Sequence, residues 1–281
     1  MTLTEIRRIL GERQIQLTRS LGQNFLHDGN QLRRIADAAH LTDADRVLEI
    51  GPGLGPLTEI LVSRAAKVLA IEMDLRLVSV LQERFPQDER LELLHADALD
   101  IVRDLSRNWT GWKLVSNLPY SVASPILVEL ALSASPPALM VATLQLEVIN
   151  RIVAQPDSKD YGILTLLLGL KFEAVESFKI GRECFFPVPD VDSGCVVLKL
   201  RPAPLVGAAL ENAFVRVVKT AFSQRRKMML KLLKQHWPMD RLDLGFAAAG
   251  ISAQERAEKV SPRQFAILTE YLHPAPAPVS E

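Results

Sequence analysis

Asn117, Leu118, Pro119 and Tyr120 form a run whose side chains could do chemistry on an amine. An Asn carboxamide both donates and accepts hydrogen bonds. Proline fixes the chain direction and has no N–H of its own. An aromatic ring can stack a nucleobase. The set suits the exocyclic amine of a purine, which would donate to the Asn117 carboxamide oxygen and to the Leu118 carbonyl. Those acceptors would draw the nitrogen lone pair out of ring conjugation and aim it at an electrophilic methyl. No strong base is required, because the amine becomes acidic only as it acquires the methyl. Taken alone, Asn-Leu-Pro-Tyr is an ordinary turn. Its placement argues for function: it follows a short apolar run, Leu114–Ser116, and ligands in open α/β sheets collect at the carboxyl ends of strands.

A second constellation is Glu49-Ile50-Gly51-Pro52-Gly53-Leu54-Gly55. It follows one apolar run and opens a helical pattern. Glycines there admit positive φ and close approach of the backbone to a ligand. The helix start adds a positive dipole end. Glu72 stands 21 positions after Gly51, at the end of the next strand, where a carboxylate can accept from both hydroxyls of a ribose. Together these indicate a nucleoside-containing cofactor. The dinucleotide fingerprint prefers Gly-x-Gly-x-x-Gly. Here Pro56 occupies the place of the last glycine, which tilts the reading from NAD towards S-adenosylmethionine, a donor with no phosphate to cradle.

These residues need elements to hold them. Strands are predicted at Val47–Ile50, Lys67–Ile71, Leu91–His95, Leu114–Ser116 and Leu139–Leu144, with helices at Leu57–Arg64, Leu75–Phe85 and about 124–132. Alternation of this kind predicts a parallel sheet with crossover helices. Tyr161–Leu170 reads as a buried helix, and Phe172–Ile180 and Cys195–Leu200 as late strands. Arg201–Pro204 reads as a linker. Leu210–Gln235 and Gln264–Tyr271 show helical periodicity. The expected architecture is an α/β Rossmann-like sheet over residues 1–204 and a small helical domain over 205–281. The Pro–Ala alternation from His273 predicts a disordered tail.

Charge is distributed unevenly. The 281 residues carry 33 Lys plus Arg and 33 Asp plus Glu, so the formal net charge is zero. A whole-chain average of that kind argues against a strongly basic nucleic-acid binder. Counted by segment, residues 1–34 balance at +3, residues 35–202 at −7 and residues 203–281 at +4. Residues 215–236 hold seven basic side chains and no acid, interleaved with Met and Leu. That pattern predicts an amphipathic helical region with a phosphate-contacting face. Arg7, Arg8, Arg13 and Arg19 would extend the footprint from the other end. Cys184 and Cys195 have neither disulfide nor metal spacing and read as buried thiols, as in a reducing cytosol. No apolar run approaches about 18 residues, so no membrane span is expected. His27 and His95 read as hydrogen-bonded structural residues.

The assembled motifs resemble the ribosomal RNA adenine N6,N6-dimethyltransferases over roughly residues 17–272. Gln23-Asn24-Phe25-Leu26 is similar to that family's N-terminal cofactor lid. Glu49 to Gly55 matches its glycine loop, Ala96-Asp97-Ala98 its third-strand acid and Asn117 to Tyr120 its catalytic loop. Gln145 to Val148 with Asn150-Arg151 matches the segment after the fifth strand. Phe185 to Pro189 with Val191-Asp192-Ser193 matches a second base-stacking segment, and Ala221 to Lys227 a basic C-terminal motif. Four positions depart from the family pattern: Ser116, Leu146, Asp190 and Gly194.

The resemblance implies a class I methyltransferase fold and S-adenosylmethionine as cofactor. Asn24, Leu26, Gly51, Gly53, Glu72, Asp97 and Asn117 would contact it, Asp97 at the adenine amine and Glu72 at the ribose. Asn117 and Leu118 would hold the target N6, with Pro119 between them and Tyr120. Tyr120 and Phe185 would sandwich the flipped base. Arg225, Arg226, Lys227 and Lys231 would meet RNA. The implied substrate is a pair of adjacent adenosines near the 3′ end of small-subunit (16S) rRNA, within an assembling subunit. The expectation is a cytoplasmic monomer with no metal. Competing readings are a resistance-type methyltransferase of large-subunit rRNA, a non-enzymatic assembly or transcription factor on the same fold, and a nicotinamide oxidoreductase. The third offers no hydride-handling residues, and the second needs a decayed cofactor site that the motifs do not show.

Overall fold

The computed structural model of the chain describes residues 1–17, 23–224 and 226–273. Helix α1 (Leu3–Glu12) starts from a capping box, in which the Thr2 side chain accepts from the Glu5 N–H and the Glu5 carboxylate accepts from the Thr2 N–H. A two-residue strand β1 (Phe25–Leu26) precedes α2 (Gly29–Ala38), capped by Asp28. Strands and helices then alternate: β2 (Arg46–Ile50), α3 (Pro56–Arg64), β3 (Lys67–Glu72), α4 (Leu75–Arg84), β4 (Leu91–His95), α5 (Ala98–Arg103), β5 (Trp112–Asn117), α6 (Ala123–Leu132) and β6 (Leu139–Gln145). There follow α7 (Leu146–Ile152), α8 (Ile163–Gly169), β7 (Phe172–Ile180), β8 (Phe185–Phe186) and β9 (Ser193–Leu200). The last helices are α9 (Glu211–Ala221), α10 (Met229–Leu233), α11 (Met239–Ala249) and α12 (Pro262–Leu272). No helix among the described residues is long and apolar enough to cross a membrane.

Seven strands form one sheet in the order β4-β3-β2-β5-β6-β9-β7, and β1 pairs with β8 apart from it. The pairs β3–β4, β2–β3, β2–β5 and β5–β6 are parallel, whereas β9 runs antiparallel to β6. Parallel neighbours need crossovers, and α3 to α6 supply them. The chain moves outward from β2 to β4, then returns to β5 on the other side. That reversal opens a crevice at the carboxyl ends of β2 and β5, the position where doubly wound sheets bind ligands. Strand periodicity supplies the core: Val47, Val68, Val115, Val141 and Val197 are buried in one cluster with Ile35 of α2 and Leu57 and Leu61 of α3.

Two compact units result: residues 1–149 with 173–200, and residues 150–172 with the chain from 201 onward. This differs from the expected boundary after residue 204, because residues 150–172 belong with the C-terminal helices. The Tyr161 hydroxyl donates to the Val260 carbonyl at 2.7 Å. Lys171 pairs with Glu211 at 2.7 Å. The Arg201 N–H donates to the Lys171 carbonyl at 2.8 Å, so part of the expected linker is tied down inside this unit.

The helical region expected over Leu210–Gln235 is interrupted. Helix α9 ends at Ala221, and the Phe222 ring turns inward beside Tyr161 and Phe265, at centroid distances of 6.3 and 6.1 Å. Helix α10 begins only at Met229, whose N–H donates to the Glu255 carbonyl. The cationic stretch therefore sits on two helices and the turn between them. Arg19, Arg225 and residues 274–281, which include the expected disordered tail beyond His273, lie outside the described residues.

The Tyr161–Val260 bond spans 99 positions of sequence. Tyr161→Phe should lower stability by about 1–2 kcal/mol, since it leaves a buried carbonyl without its donor. Urea unfolding followed by circular dichroism measures this. An unchanged midpoint would mean that the bond adds nothing to the unit.

Candidate active site

The crevice between the glycine loop and the turn after β5 is a cleft of about 340 Å³. Asn24, Leu26, Gly51, Gly53, Glu72 and Asp97, which the resemblance marks as candidates for cofactor contact, all line it. Asn117, Leu118, Pro119 and Tyr120 line the same cleft. Five segments that are distant in sequence thus converge.

The glycine loop is shaped by what glycine lacks. Gly51 has φ of 68°, and a Cβ there would lie 2.9 Å from Pro119 Cγ. Gly53 has φ of 63°, and a Cβ there would lie 2.8 Å from Phe25 Cε1. Both the backbone conformation and the close contacts exclude a side chain. The loop then enters α3 with Pro56 in its first turn, where proline is pre-organised for a helix start.

Glu72 closes one wall. Its carboxylate accepts from the Gly53 N–H at 3.1 Å and from the Asp74 N–H at 2.9 Å. Burial raises its pKa, and those backbone hydrogen bonds work against the rise. Asp74 behaves oppositely. Hydrogen bonding from Arg76 holds its carboxyl down to about 2, and Gln23 Nε2 adds a bond at 3.0 Å. Asp97 caps α5 by accepting from the Leu99 N–H at 2.8 Å.

The turn after β5 is anchored at several points. The Leu118 N–H donates to the Thr143 carbonyl at 3.0 Å, and the Val122 N–H donates to the Pro119 carbonyl at 3.1 Å. Asn117 Nδ2 donates to the Asn24 carbonyl at 3.0 Å. Since a carbonyl can only accept, this bond fixes which end of the carboxamide points elsewhere. Asn117 Oδ1 is buried and has no hydrogen-bond partner among the described residues. Ser116, a departure from the family pattern, donates to the Ile50 carbonyl at 2.5 Å and so ties β5 to β2. Gly194, another departure, has a steric reason: a Cβ there would lie 2.8 Å from the Phe178 carbonyl oxygen.

Tyr120 is half-buried, and its hydroxyl is hydrogen-bonded to Ser193 Oγ. Phe185 requires a correction. It was expected as the second ring of a base sandwich, yet it is 1% exposed and packs in the core with Ile35 and Cys184. It does not line the cleft. The pairing of β1 with β8 sets Leu26 opposite Phe185 and Phe25 opposite Phe186. Phe186 instead carries the Arg7 guanidinium over its ring at 5.3 Å.

Sequence reasoning missed Glu49 as a site residue. It lines the cleft and is 2% exposed. Desolvation pushes its carboxyl up to about 8, against the pull of the nearby Thr58 hydroxyl, and the charge of Glu72 adds to the rise. An acid inside the apolar run Val47–Ile50, two positions before Gly51, is the available signal. His95 Nε2 lies 3.1 Å from the Met73 carbonyl. Among the described residues no group of His, Cys, Asp or Glu could hold a metal ion.

The basic residues divide into two kinds. Arg226, Lys227, Lys231 and Lys234 are exposed. Arg8 and Arg13 are paired with Glu12 and Glu83, and Arg7 is engaged with Phe186.

Comparison with known proteins agrees with this geometry. Residues 15–273 match the family described as Ribosomal RNA adenine dimethylase. A Ribosomal RNA small subunit methyltransferase A from Geobacter metallireducens is 39% identical over 261 residues, covering 91% of this chain and 95% of that protein. Its namesake in Anoxybacillus flavithermus is 37% identical over 283 residues, covering 97% and 96%. Among solved structures, the 23S rRNA methyltransferase ErmE superposes with a TM-score of 0.67 at 30% identity, covering 88% of this chain and 99% of its own. A dimethyladenosine transferase from Plasmodium falciparum gives 0.69 at 22% identity, covering 87% and 95%, and supports the fold. The sheet is that of the class I methyltransferases, and with a match that spans cleft and C-terminal helices alike, the chain belongs to the ribosomal RNA adenine dimethylase family.

Proposed function

We propose that this chain dimethylates N6 of two adjacent adenosines near the 3′ end of small-subunit rRNA, within an assembling subunit. It would do so in the cytoplasm, as a monomer. The observation that carries the reading is Asn117 Oδ1, a buried acceptor without a partner among the described residues, in the cleft lined by the glycine loop. A buried polar atom without a partner calls for a reason, and an exocyclic amine would supply one. The relatives named for the small subunit, at 36–39% identity, favour that substrate over the large-subunit alternative.

The cleft fits the family's cofactor. The Gly51 and Gly53 positions leave backbone open where any Cβ would collide. Glu72 is buried at their side and oriented by two N–H groups, suited to a ribose diol. Asp97 would take the adenine amine, and Asn24 and Leu26 would cover the opposite side. S-adenosylmethionine, when bound, supplies an electrophilic methyl.

The chain's own residues would do the rest. Unstacking the target adenosine costs a few kcal/mol, and stacking on Tyr120 returns about 1–3 kcal/mol. Asn117 Oδ1 and the Leu118 carbonyl would accept from the amine and orient its lone pair. As the nitrogen gains its methyl it turns cationic, and the same two oxygens stabilise that charge. This is catalysis by positioning and preset dipoles. Arg226, Lys227 and Lys231 would contact phosphates, as Arg225 was expected to.

The direct test incubates labelled S-adenosylmethionine with unmethylated small subunits and maps the label. Label confined to large-subunit rRNA would overturn the assignment. Asn117→Ala should cut turnover by about a hundredfold or more with an unchanged circular dichroism spectrum. Near-normal methylation by that variant would sink the role given to Asn117. Charge reversal of Arg226, Lys227 and Lys231 together should weaken rRNA binding and flatten its salt dependence, by about 0.7–0.9 in log–log slope for each phosphate left without its cation. An unaltered slope would remove these residues from the interface.

A further inference from the structure

We propose that Ser193 is a positioning residue: by holding the hydroxyl of Tyr120 it fixes the ring that forms one wall of the base pocket. The inference rests on the reading of Tyr120 as the stacking residue, and gives it a mechanical partner. Stacking a base needs only the face of an aromatic ring, which phenylalanine would offer equally. A tyrosine adds a polar tip that must find a partner when it is buried. Here that partner is a fully buried serine, 0% exposed, to which Tyr120 is hydrogen-bonded.

The two ends of this bond are held very differently. Tyr120 lies in a turn without strand pairing, and the adjacent main-chain bond is Val122 N–H to the Pro119 carbonyl. Ser193 is the first residue of β9 and sits in register opposite Gln145, the last residue of β6. Its neighbour Asp192 accepts from the Leu146 N–H at 2.9 Å and pairs with Lys179 at 2.6 Å. Ser193 is therefore fixed to the sheet, and the ring is fixed to Ser193. The tether runs from the turn after β5, past the carboxyl end of β6, to the start of β9. The ring is then held at its Cα and at its hydroxyl, so its tilt is set before any base enters. Such preorganisation acts on turnover, because the amine must meet the methyl within a narrow range of geometry. Docking of rRNA elsewhere on the chain does not depend on it.

The test uses the full-length enzyme with small subunits as substrate, comparing Ser193→Ala, Tyr120→Phe and the double variant. Each single variant should lower kcat by about tenfold. KM for the subunit and the Kd for S-adenosylhomocysteine should stay within about twofold, a split that general loss of structure would not give. The double variant should be no worse than either single one, since both remove the same bond. In an rRNA fragment with 2-aminopurine at the target position, both single variants should quench the fluorophore less than wild type but more than Tyr120→Ala. Wild-type turnover by Ser193→Ala overturns the proposal, as does a double-variant loss equal to the product of the single losses. A defect in Tyr120→Phe with none in Ser193→Ala also overturns it, because the hydroxyl would then act alone. If Ser193→Ala fails to fold, Tyr120→Phe decides, and wild-type kcat and quenching in that variant reject the tether. Tyr120→Ala separates the two readings: full activity there rejects stacking itself, whereas its collapse beside active Ser193→Ala and Tyr120→Phe enzymes rejects only the tether.

Discussion

Three segments far apart in the chain meet around two missing Cβ atoms. Pro119 presses against Gly51 on one side of the glycine loop, and the Phe25 ring presses against Gly53 on the other. The Asn117 side chain, bonded to the Asn24 carbonyl, closes the triangle between the turn after β5 and the N-terminal segment. Neither contact survives the addition of a methyl group without movement of backbone or ring. The spacing of the glycine loop from the turn after β5 and from the N-terminal segment is therefore set by contacts of the main chain with rings, not by flexible side chains. Ser116 reinforces it from below by joining β5 to β2 at the base of the crevice. Phe25 carries the constraint outward, because it shares a cluster with Ile6 and Leu10 of α1 and with Leu77 and Val80 of α4.

Electrostatics within this frame follow from three carboxyl groups in three environments. Glu49 lies deepest, and desolvation pushes it up to about 8, so at neutral pH it is mostly protonated. Glu72 accepts two backbone hydrogen bonds that favour its charged form. Asp74 is held ionised by Arg76, with Gln23 assisting. Burial also raises the Glu72 pKa against the pull of those two bonds, and a proton on Glu49 keeps charge off the deepest of the three carboxyls. The acidic balance of the middle of the chain is consistent with a site for a cationic cofactor, but its placement matters more than its sum.

Much of this was legible in the sequence, for physical reasons. Short apolar runs ended at Gly51, Glu72, His95 and Asn117, so the carboxyl edge of the sheet could be marked from residue order alone. The residues expected at the cofactor all lie in one cleft for that reason. Phe185 shows where the method stops. Two adjacent phenylalanines in a strand must point to opposite faces, but alternation does not say which one points inward. The pairing with β1 decides it, by setting Phe185 opposite Leu26. The boundary between the units depended on a tyrosine hydroxyl reaching a carbonyl 99 positions away, and no local pattern encodes that. Helix α1 was missed although Thr2 and Glu5 stand at capping-box spacing.

The two basic ends of the chain looked alike in the sequence and differ in the structure. At the N-terminus Arg8 and Arg13 face acids and Arg7 lies on an aromatic ring. Exposed ion pairs of this kind add little stability, but they cancel the local field. Near the C-terminus Arg226, Lys227, Lys231 and Lys234 are exposed within a stretch that contains no acid at all. A field that reaches phosphates at the Debye length of about 8–10 Å needs uncompensated charge, and only the second group has that composition. Zero net charge is thus no argument against nucleic-acid binding here. It reflects an acidic middle segment offset by two basic ends, of which the first has Arg8 and Arg13 paired with acids and the second has Arg226, Lys227, Lys231 and Lys234 exposed.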